Sequence, residues 1–255
     1  MLVRNADDGV ESRDSEVSEE RSGEPLLDNP IWNALGTDHR ALAVCSGRAR
    51  RYPPDIGPLS GMPDQSIASY IDLRPIVRTD GVVALFFQQP PAPPHEWALL
   101  RGGLISQMIW SGTRNIERDN LSAGANLRQL AATDVPEMMA LAELTEPGPF
   151  RTRTIELGNF YGIFDSGRLL AMAGQRMSVP GFIEVSAVCT HPDARGKGYA
   201  RALMQVVVQD IRERGNTPFL HVFADNDSAI RVYESLGFTH RRTFHLAVLK
   251  NDCQD

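Results

Sequence analysis

Between Phe182 and Ile211 a short apolar strand, a glycine-bearing turn and a long amphipathic helix follow one another, and this order limits the fold more than any other feature. The stretch Phe182 to Val188 is rich in β-branched and aromatic residues and is preceded by Pro180-Gly181, as expected of a strand. Ala200, Leu203, Val207 and Ile211 recur at helical spacing, which predicts a helix starting near Gly198. A helix start presents unpaired N–H groups and the positive end of a dipole, and glycines let an anion come close to the backbone. Arg195 and Lys197 add positive charge, so the turn reads as a phosphate cradle.

Glycine spacing narrows the ligand. A P-loop requires G-x-x-x-x-G-K-[ST], but Tyr199 follows Gly198; a dinucleotide fingerprint requires G-x-G-x-x-G, but Arg201 stands where the third glycine belongs. The pattern present is R-x-x-G-x-A, at Arg195, Gly198 and Ala200. A second segment follows an apolar run, Pro218 to Phe223: Asn226, Ala229, Tyr233, Gly237 and Phe238 spell N-x-x-A-x-x-x-Y-x-x-x-G-F. With both motifs, in this order, the chain resembles the GNAT acetyltransferase superfamily over roughly residues 127–250. Leu170 to Met177 and Ser186 to Pro192 are similar to a bacterial branch of predicted acetyltransferases without an assigned acceptor.

The net charge of −6 is concentrated at one end, because residues 1–24 hold eight acids against three arginines. Residues 1–25 read as a disordered acidic tail, and the body, close to neutral, shows no basic stripe that would favour nucleic acid. No apolar segment is long enough to cross a membrane, and no N-terminal signal is recognised. Cys45, Cys189 and Cys253 are too few and too scattered for a disulfide framework or a zinc site, so no metal is expected and a reducing cytoplasm is the expected compartment. A monomer or a homodimer fits this composition.

The polar, glycine-containing stretch 111–124 reads as a boundary between an N-terminal α+β domain (26–120) and a GNAT domain (121–255). In the former, Asn29 and Pro30 open a helix, and 41–45, 82–87 and 104–110 read as strands. Gln89 to Pro94 reads as a rigid extended connector, with a docking site for a PxxP-binding module as the other reading. This domain is either a degenerate GNAT-like half or an unrelated small α+β cap. In the latter, a strand over 126–130, a helix from Thr133 or Asp134 through Leu144, and a hairpin through Asp165-Ser166-Gly167 precede the two motifs, and 239–249 closes the sheet. The fold class is mixed α/β, α+β-like, with a central sheet flanked by helices.

The resemblance implies roles for individual residues. Backbone groups of Val188, Cys189 and Thr190 would receive the acetyl carbonyl and pantetheine arm of acetyl-coenzyme A, the cosubstrate. Arg195, Gly196, Lys197, Gly198, Tyr199, Ala200 and Arg201 would hold its pyrophosphate. Asn226 would contact the pantetheine arm, or serve only as a helix N-cap. Tyr233 would protonate the departing sulfur, its ordinary pKa near 10 suiting a general acid, or belong to an apolar stripe with Ile230 and Leu236.

For the base that frees the acceptor amine, Glu184 and Glu156 are candidates, each with a solvated surface carboxylate as the alternative. Glu184 shares a strand face with Val188 unless a bulge intervenes. His191 reads as a turn residue, and no paired His and acid supports Cys189 as a nucleophile. Residues 146–150 are expected to form one wall of the acceptor site. The function implied is an N-acetyltransferase acting on an amine of a small molecule, amino acid or protein by direct attack in a ternary complex. Its rival is a coenzyme A-binding sensor or inactive partner that kept the fold.

Overall fold

A computed structural model of the chain describes residues 23–79, 81–112 and 125–252. Most of the acidic tail, most of the expected linker and Cys253 lie outside the described residues. The elements run α1 (Pro30–Ala34), β1 (Val44–Ser46), β2 (Ala49–Arg51), β3 (Ser60–Gly61), α2 (Ile67–Leu73), β4 (Val82–Phe87) and β5 (Trp97–Trp110). There follow β6 (Asn126–Gln129), α3 (Val135–Thr145), β7 (Phe160–Asp165), β8 (Arg168–Val179), β9 (Phe182–Thr190), α4 (Tyr199–Glu213), β10 (Thr217–Phe223), α5 (Asp227–Ser235) and β11 (Phe238–Asn251).

Local chemistry accounts for the element ends. Pro30 opens α1, where its missing N–H costs nothing, but the Asn29 side chain donates to Met62 O (2.7 Å) rather than capping the helix. Ser66 caps α2 by accepting from Ser69 N. Ser166 (φ 52°) and Gly167 (φ 79°) both take positive φ, which gives the β7–β8 hairpin the twist its strands need. The expected strand at 41–45 is mostly a 3-10 turn over Arg40–Leu42, and β1 begins only at Val44.

An eight-stranded sheet, ordered β4-β11-β5-β10-β9-β8-β7-β6, forms the framework, and β1-β2-β3 form a small second sheet. β10 and β9 are parallel, whereas the other pairings are antiparallel. Hydrogen bonds cross the position of the expected domain boundary. β5, from the N-terminal segment, lies between β10 and β11, pairing Phe219 with Ile109 on one side and Phe238 with Trp110 on the other. Trp110 Nε1 donates to Leu236 O (3.0 Å), which ties the end of β5 to the Gly237-Phe238 end of the second motif.

Helix α4 covers one face of this sheet. Its Leu203, Met204, Val207, Val208 and Ile211 are fully buried with Ile163, Ala171, Val185 and Leu220. Each such side chain contributes roughly 1.5–3 kcal/mol on burial, so this stripe fixes the position of the turn that precedes the helix. On the other face, α1 and the chain around Tyr52 and Ile56 pack on Met177, Phe182 and Phe219, and α3 packs with Phe160, Met172 and Cys189.

Candidate active site

The two parallel strands at the centre part company. β9 and β10 pair from Phe182 with Thr217 only as far as Glu184 with Phe219. Beyond that point β9 keeps β8 as its neighbour and β10 keeps β5, so the facing edges of Val185–Thr190 and Leu220–Phe223 diverge into a V. Backbone groups on such edges are free to meet a ligand.

A bulge lies on the β9 arm of the V. Met172 pairs with Cys189 and Gly174 with Ser186, so Ala173 alone opposes both Ala187 and Val188. Ala187 takes φ 53°, a left-handed conformation that costs a residue with a Cβ roughly 1–2 kcal/mol. The bulge inverts the alternation of side chains. Val188 joins Ile183 and Val185 against α4, while Ala187 and Cys189 face α3. Glu184 and Val188 therefore do not share a face, contrary to the regular alternation.

After β9, the chain turns through His191 and a 3-10 turn at Pro192–Ala194 to reach α4. Gly196 (φ 77°) and Gly198 (φ 78°) are both left-handed, and a Cβ built on either would meet nothing within 4 Å. Their conformation excludes most other residues, yet the space before them is open. Gly198 is the N-cap of α4 and supplies no side-chain cap, and the first intrahelical bond is Ala202 N to Gly198 O. The N–H groups of Tyr199, Ala200 and Arg201 are thus left without intrahelical acceptors, in a positive dipole field. Arg195 and Lys197 are exposed at this mouth, whereas the Tyr199 side chain is core and only its backbone can face a ligand. Thr190 Oγ1, at the end of β9, is buried with no hydrogen-bond partner among the described residues. Open left-handed glycines, an uncapped helix start, two cations and an orphaned hydroxyl together suit a long anionic ligand that carries polar groups along its arm.

Asn226 caps α5, accepting from Ala229 N (3.2 Å) and Ser228 Oγ (3.0 Å), so its ordinary reading holds. Tyr233 packs half-buried against the α4 core and edge-on to Phe238. Burial pushes its phenol up to about 12, and it is fully protonated at neutral pH.

The two acids differ: Glu156 is a surface carboxylate, as its alternative reading had it, whereas Glu184 is neither on the surface nor in an open base position. Glu184 is completely buried, and its carboxylate accepts from Arg176 Nε (2.7 Å), Arg176 Nη2 (2.6 Å) and His221 Nδ1 (2.7 Å). Burial opposes its charge, but the Arg176 guanidinium and the His221 bond outweigh that and hold its pKa well below the carboxylate range. Burial lowers the pKa of His221, which is neutral at pH 7 and carries its proton on Nδ1. Gln107 Nε2 faces the other imidazole nitrogen (3.1 Å), donates to Leu27 O (3.0 Å), and its Oε1 accepts from Arg241 (2.9 Å). An enclosed carboxylate of such low basicity is a poor proton acceptor for an amine. Glu156 forms a two-bond pair with Arg153 (2.7 and 2.8 Å), which also holds Asp55, and Arg153 lowers its pKa. Arg153 fastens the 53–57 loop to the 151–157 turn.

His191 serves the turn, with its N–H on Leu170 O (2.7 Å) and its ring between Arg168 and Asp193 N. The Cys189 thiol is buried and pushed up to about 11, chiefly by desolvation, which removes it as a nucleophile at neutral pH. Among the described residues no group of His, Cys, Asp and Glu is placed to hold a metal ion, and no helix is long and apolar enough to cross a membrane.

Beside the bulge, Pro147, Pro149 and Phe150 wall a cleft whose opposite side is Ser186 and Ala187 and which Arg176 also lines. Residues 147–150, expected to wall the acceptor site, line this cleft. Arg176 and Ala187 line this cleft and His221 joins Arg176 at the Glu184 carboxylate, and the motifs indicated none of the three.

The parallel strands part immediately before the glycine-bearing start of α4. The FR47-like protein family model matches residues 160–246. A solved structure described as a putative acetyltransferase from the GNAT family, from Novosphingobium aromaticivorans DSM 12444, is 40% identical, with a TM-score of 0.81 over 89% of this chain and 99% of that one. The [ribosomal protein bS18]-alanine N-acetyltransferase of Escherichia coli (strain K12) is 29% identical over 128 residues, 47% of this chain and 86% of that enzyme. The mycothiol acetyltransferase of Rhodococcus jostii (strain RHA1) is 38% identical over 65 residues, and the chain spans only 21% of its length. The chain belongs to the GNAT family of N-acetyltransferases.

Proposed function

We propose that the protein transfers an acetyl group from acetyl-coenzyme A to a primary amine of a small molecule, amino acid or protein, by direct attack in a ternary complex. The observation that carries this reading is the parting of β9 from β10 immediately before a turn whose two left-handed glycines face open space. When bound, acetyl-coenzyme A supplies an acetyl group activated as a thioester. The backbone from Arg195 to Arg201 binds the pyrophosphate, with the charges of Arg195 and Lys197 alongside. The free β9 edge at Val188, Cys189 and Thr190 orients the pantetheine arm and acetyl carbonyl, and Asn226 bounds that arm from α5. Tyr233 holds a proton on Oη and donates it to the departing thiolate, and the proton that the amine loses as the amide forms restores the phenol. Glu184 and Glu156 are committed to Arg176 and Arg153, so the acceptor enters as the free amine. The cytoplasm is the compartment assigned to this activity.

The test is thiol release from acetyl-coenzyme A across a panel of amines. Amine-dependent release with stoichiometric acetylated product is expected. Tight acetyl-coenzyme A binding without turnover on any acceptor supports a sensor instead.

A further inference from the structure

A cavity of about 470 Å³ lies at the outer edge of the sheet, between the end of β4, the 62–65 segment and α1. Its size is that of small-molecule pockets, which run roughly 300–1,000 Å³. β11 and β5 separate β4 from β10, so at ~4.8 Å per strand the cavity edge lies roughly 14 Å from the V, and a one-ring occupant does not reach the acetyl-transfer site. Charge narrows the occupant. Both carboxylates in the wall already face arginines: Asp28 has Arg241 Nη2 at 2.7 Å and Arg242 Nε at 3.3 Å, and Asp64 has Arg48 at 3.9 Å besides the hydroxyls of Ser66 and Ser69. Arg50 lies over the Trp32 ring (4.1 Å). No cationic side chain lines the cavity itself. An anion would thus meet carboxylates without a counter-charge, and a cation would compete with the arginines that already hold them.

Hydrogen bonding narrows the occupant further. Asn29 and Asn33 stand one helical turn apart in the wall, with Asn33 N donating to Asn29 O (3.0 Å). Each spends its side-chain N–H on a backbone oxygen, Met62 O and Leu26 O (2.7 Å each), and neither Oδ1 has a donor among the described residues. At the end of β4, the Gln88 N–H and the Gln89 side-chain amide have no acceptor there either. A hydroxyl, which donates and accepts at one atom, suits this mixture. The half-buried rings of Trp32 and Phe86 supply apolar surface, and the indole is fixed by its Nε1 donating to Arg48 O (2.9 Å).

We propose that this cavity is a binding site for a neutral saccharide, separate from the acetyl-transfer site. Hydroxyls of one sugar ring donate to Asn29 Oδ1 and Asn33 Oδ1 and accept from the Gln89 amide, while the C–H face of the ring packs on Trp32 and Phe86. The inference is independent of acetyl transfer, and either can fail without the other.

Saturation-transfer NMR and titration calorimetry on the full chain, without acetyl-coenzyme A, test it. The probes are methyl α-glucoside, methyl α-mannoside, methyl α-galactoside, maltose and trehalose, with choline as a small cation and gluconate as a polyhydroxylated anion. Saturable one-to-one binding of at least one saccharide is expected, with choline and gluconate weaker. Asn33→Ala, which removes one acceptor, is expected to weaken that saccharide about threefold to tenfold, the worth of one neutral hydrogen bond, and the double variant Asn33→Ala/Gln89→Ala more. Should Asn33→Ala fail to fold, as judged by thermal melting, Gln89→Ala alone takes its place, because that residue is exposed and its side chain makes no bond among the described residues. Binding of none of the saccharides, tighter binding of choline or gluconate, or equal saccharide affinity in wild type and a folded variant overturns the proposal and leaves acetyl transfer standing.

Discussion

The turn before α4, proposed above as the donor side, and the buried polar cluster around Glu184 are built by different means. The donor side, from the β9 edge through Gly198 to α4, is made of backbone: unpaired N–H groups, two left-handed glycines and a helix dipole, held in place by the buried stripe of α4. The buried polar cluster beside it is made of side chains from distant parts of the chain. Arg176 on β8, Glu184 on β9, His221 on β10 and Gln107 on β5 form one buried polar array, which reaches Arg241 and the N-terminal Glu24 and Asp28. A backbone site tolerates change in most side chains and depends on a few glycines. A buried polar array depends on every member, since removal of one leaves its partner charged and unsolvated.

That difference can be tested first where the expected effect is largest. Arg176→Met leaves the ionised Glu184 with only the neutral His221 as a partner and is expected to cost about 3–5 kcal/mol of stability in urea unfolding, and adding Glu184→Gln should recover much of it. Equal stability of the single and double variants would mean that the array is not coupled. Tyr233→Phe touches the donor side, and we expect turnover to fall by about a hundredfold, at the lower end for a lost general acid, with acetyl-coenzyme A affinity nearly unchanged. Unaltered turnover would return Tyr233 to the apolar stripe with Ile230 and Leu236.

A smaller effect concerns pH. Burial depresses the pKa of His221 below its unfolded value, and the same holds for His39. The unfolded chain therefore takes up protons that the folded chain refuses, and the stability contributed by the neutral imidazoles is present above about pH 6.5 and lost as pH falls toward their folded values. Melting temperature should thus drop between pH 7 and 5, less steeply in His221→Gln. Glu184, also depressed, adds a second loss only below about pH 4.3, where the unfolded carboxyl protonates.

The same contrast governs what was legible in the sequence. The R-x-x-G-x-A turn and the Asn226 to Phe238 segment are local, because each places its groups within one turn and one helix, and both form as the patterns require. The bulge at Ala187 left no trace, since neither glycine nor proline marks it, and it reversed the expected facing of Val188 relative to Glu184. The buried array did leave a sign. Arg176, Glu184 and His221 each stand among apolar residues of a strand, and an ionisable residue in such a position has to find a partner when buried. Which partner it finds depends on strand order, and strand order was not readable. The insertion of β5 between β10 and β11 arises from a pairing more than 100 residues apart, and no local pattern encodes it.

The turn before α4 is where the donor is proposed to bind. Isothermal titration of acetyl-coenzyme A into wild type and Gly198→Val tests this most directly. A β-branched residue at φ 78° cannot keep the turn open without strain. Saturable one-to-one binding to wild type, weakened about tenfold or more in a folded Gly198→Val, by loss of the helix-start hydrogen bonds, is the predicted result. Equal affinity in the two proteins would contradict the account.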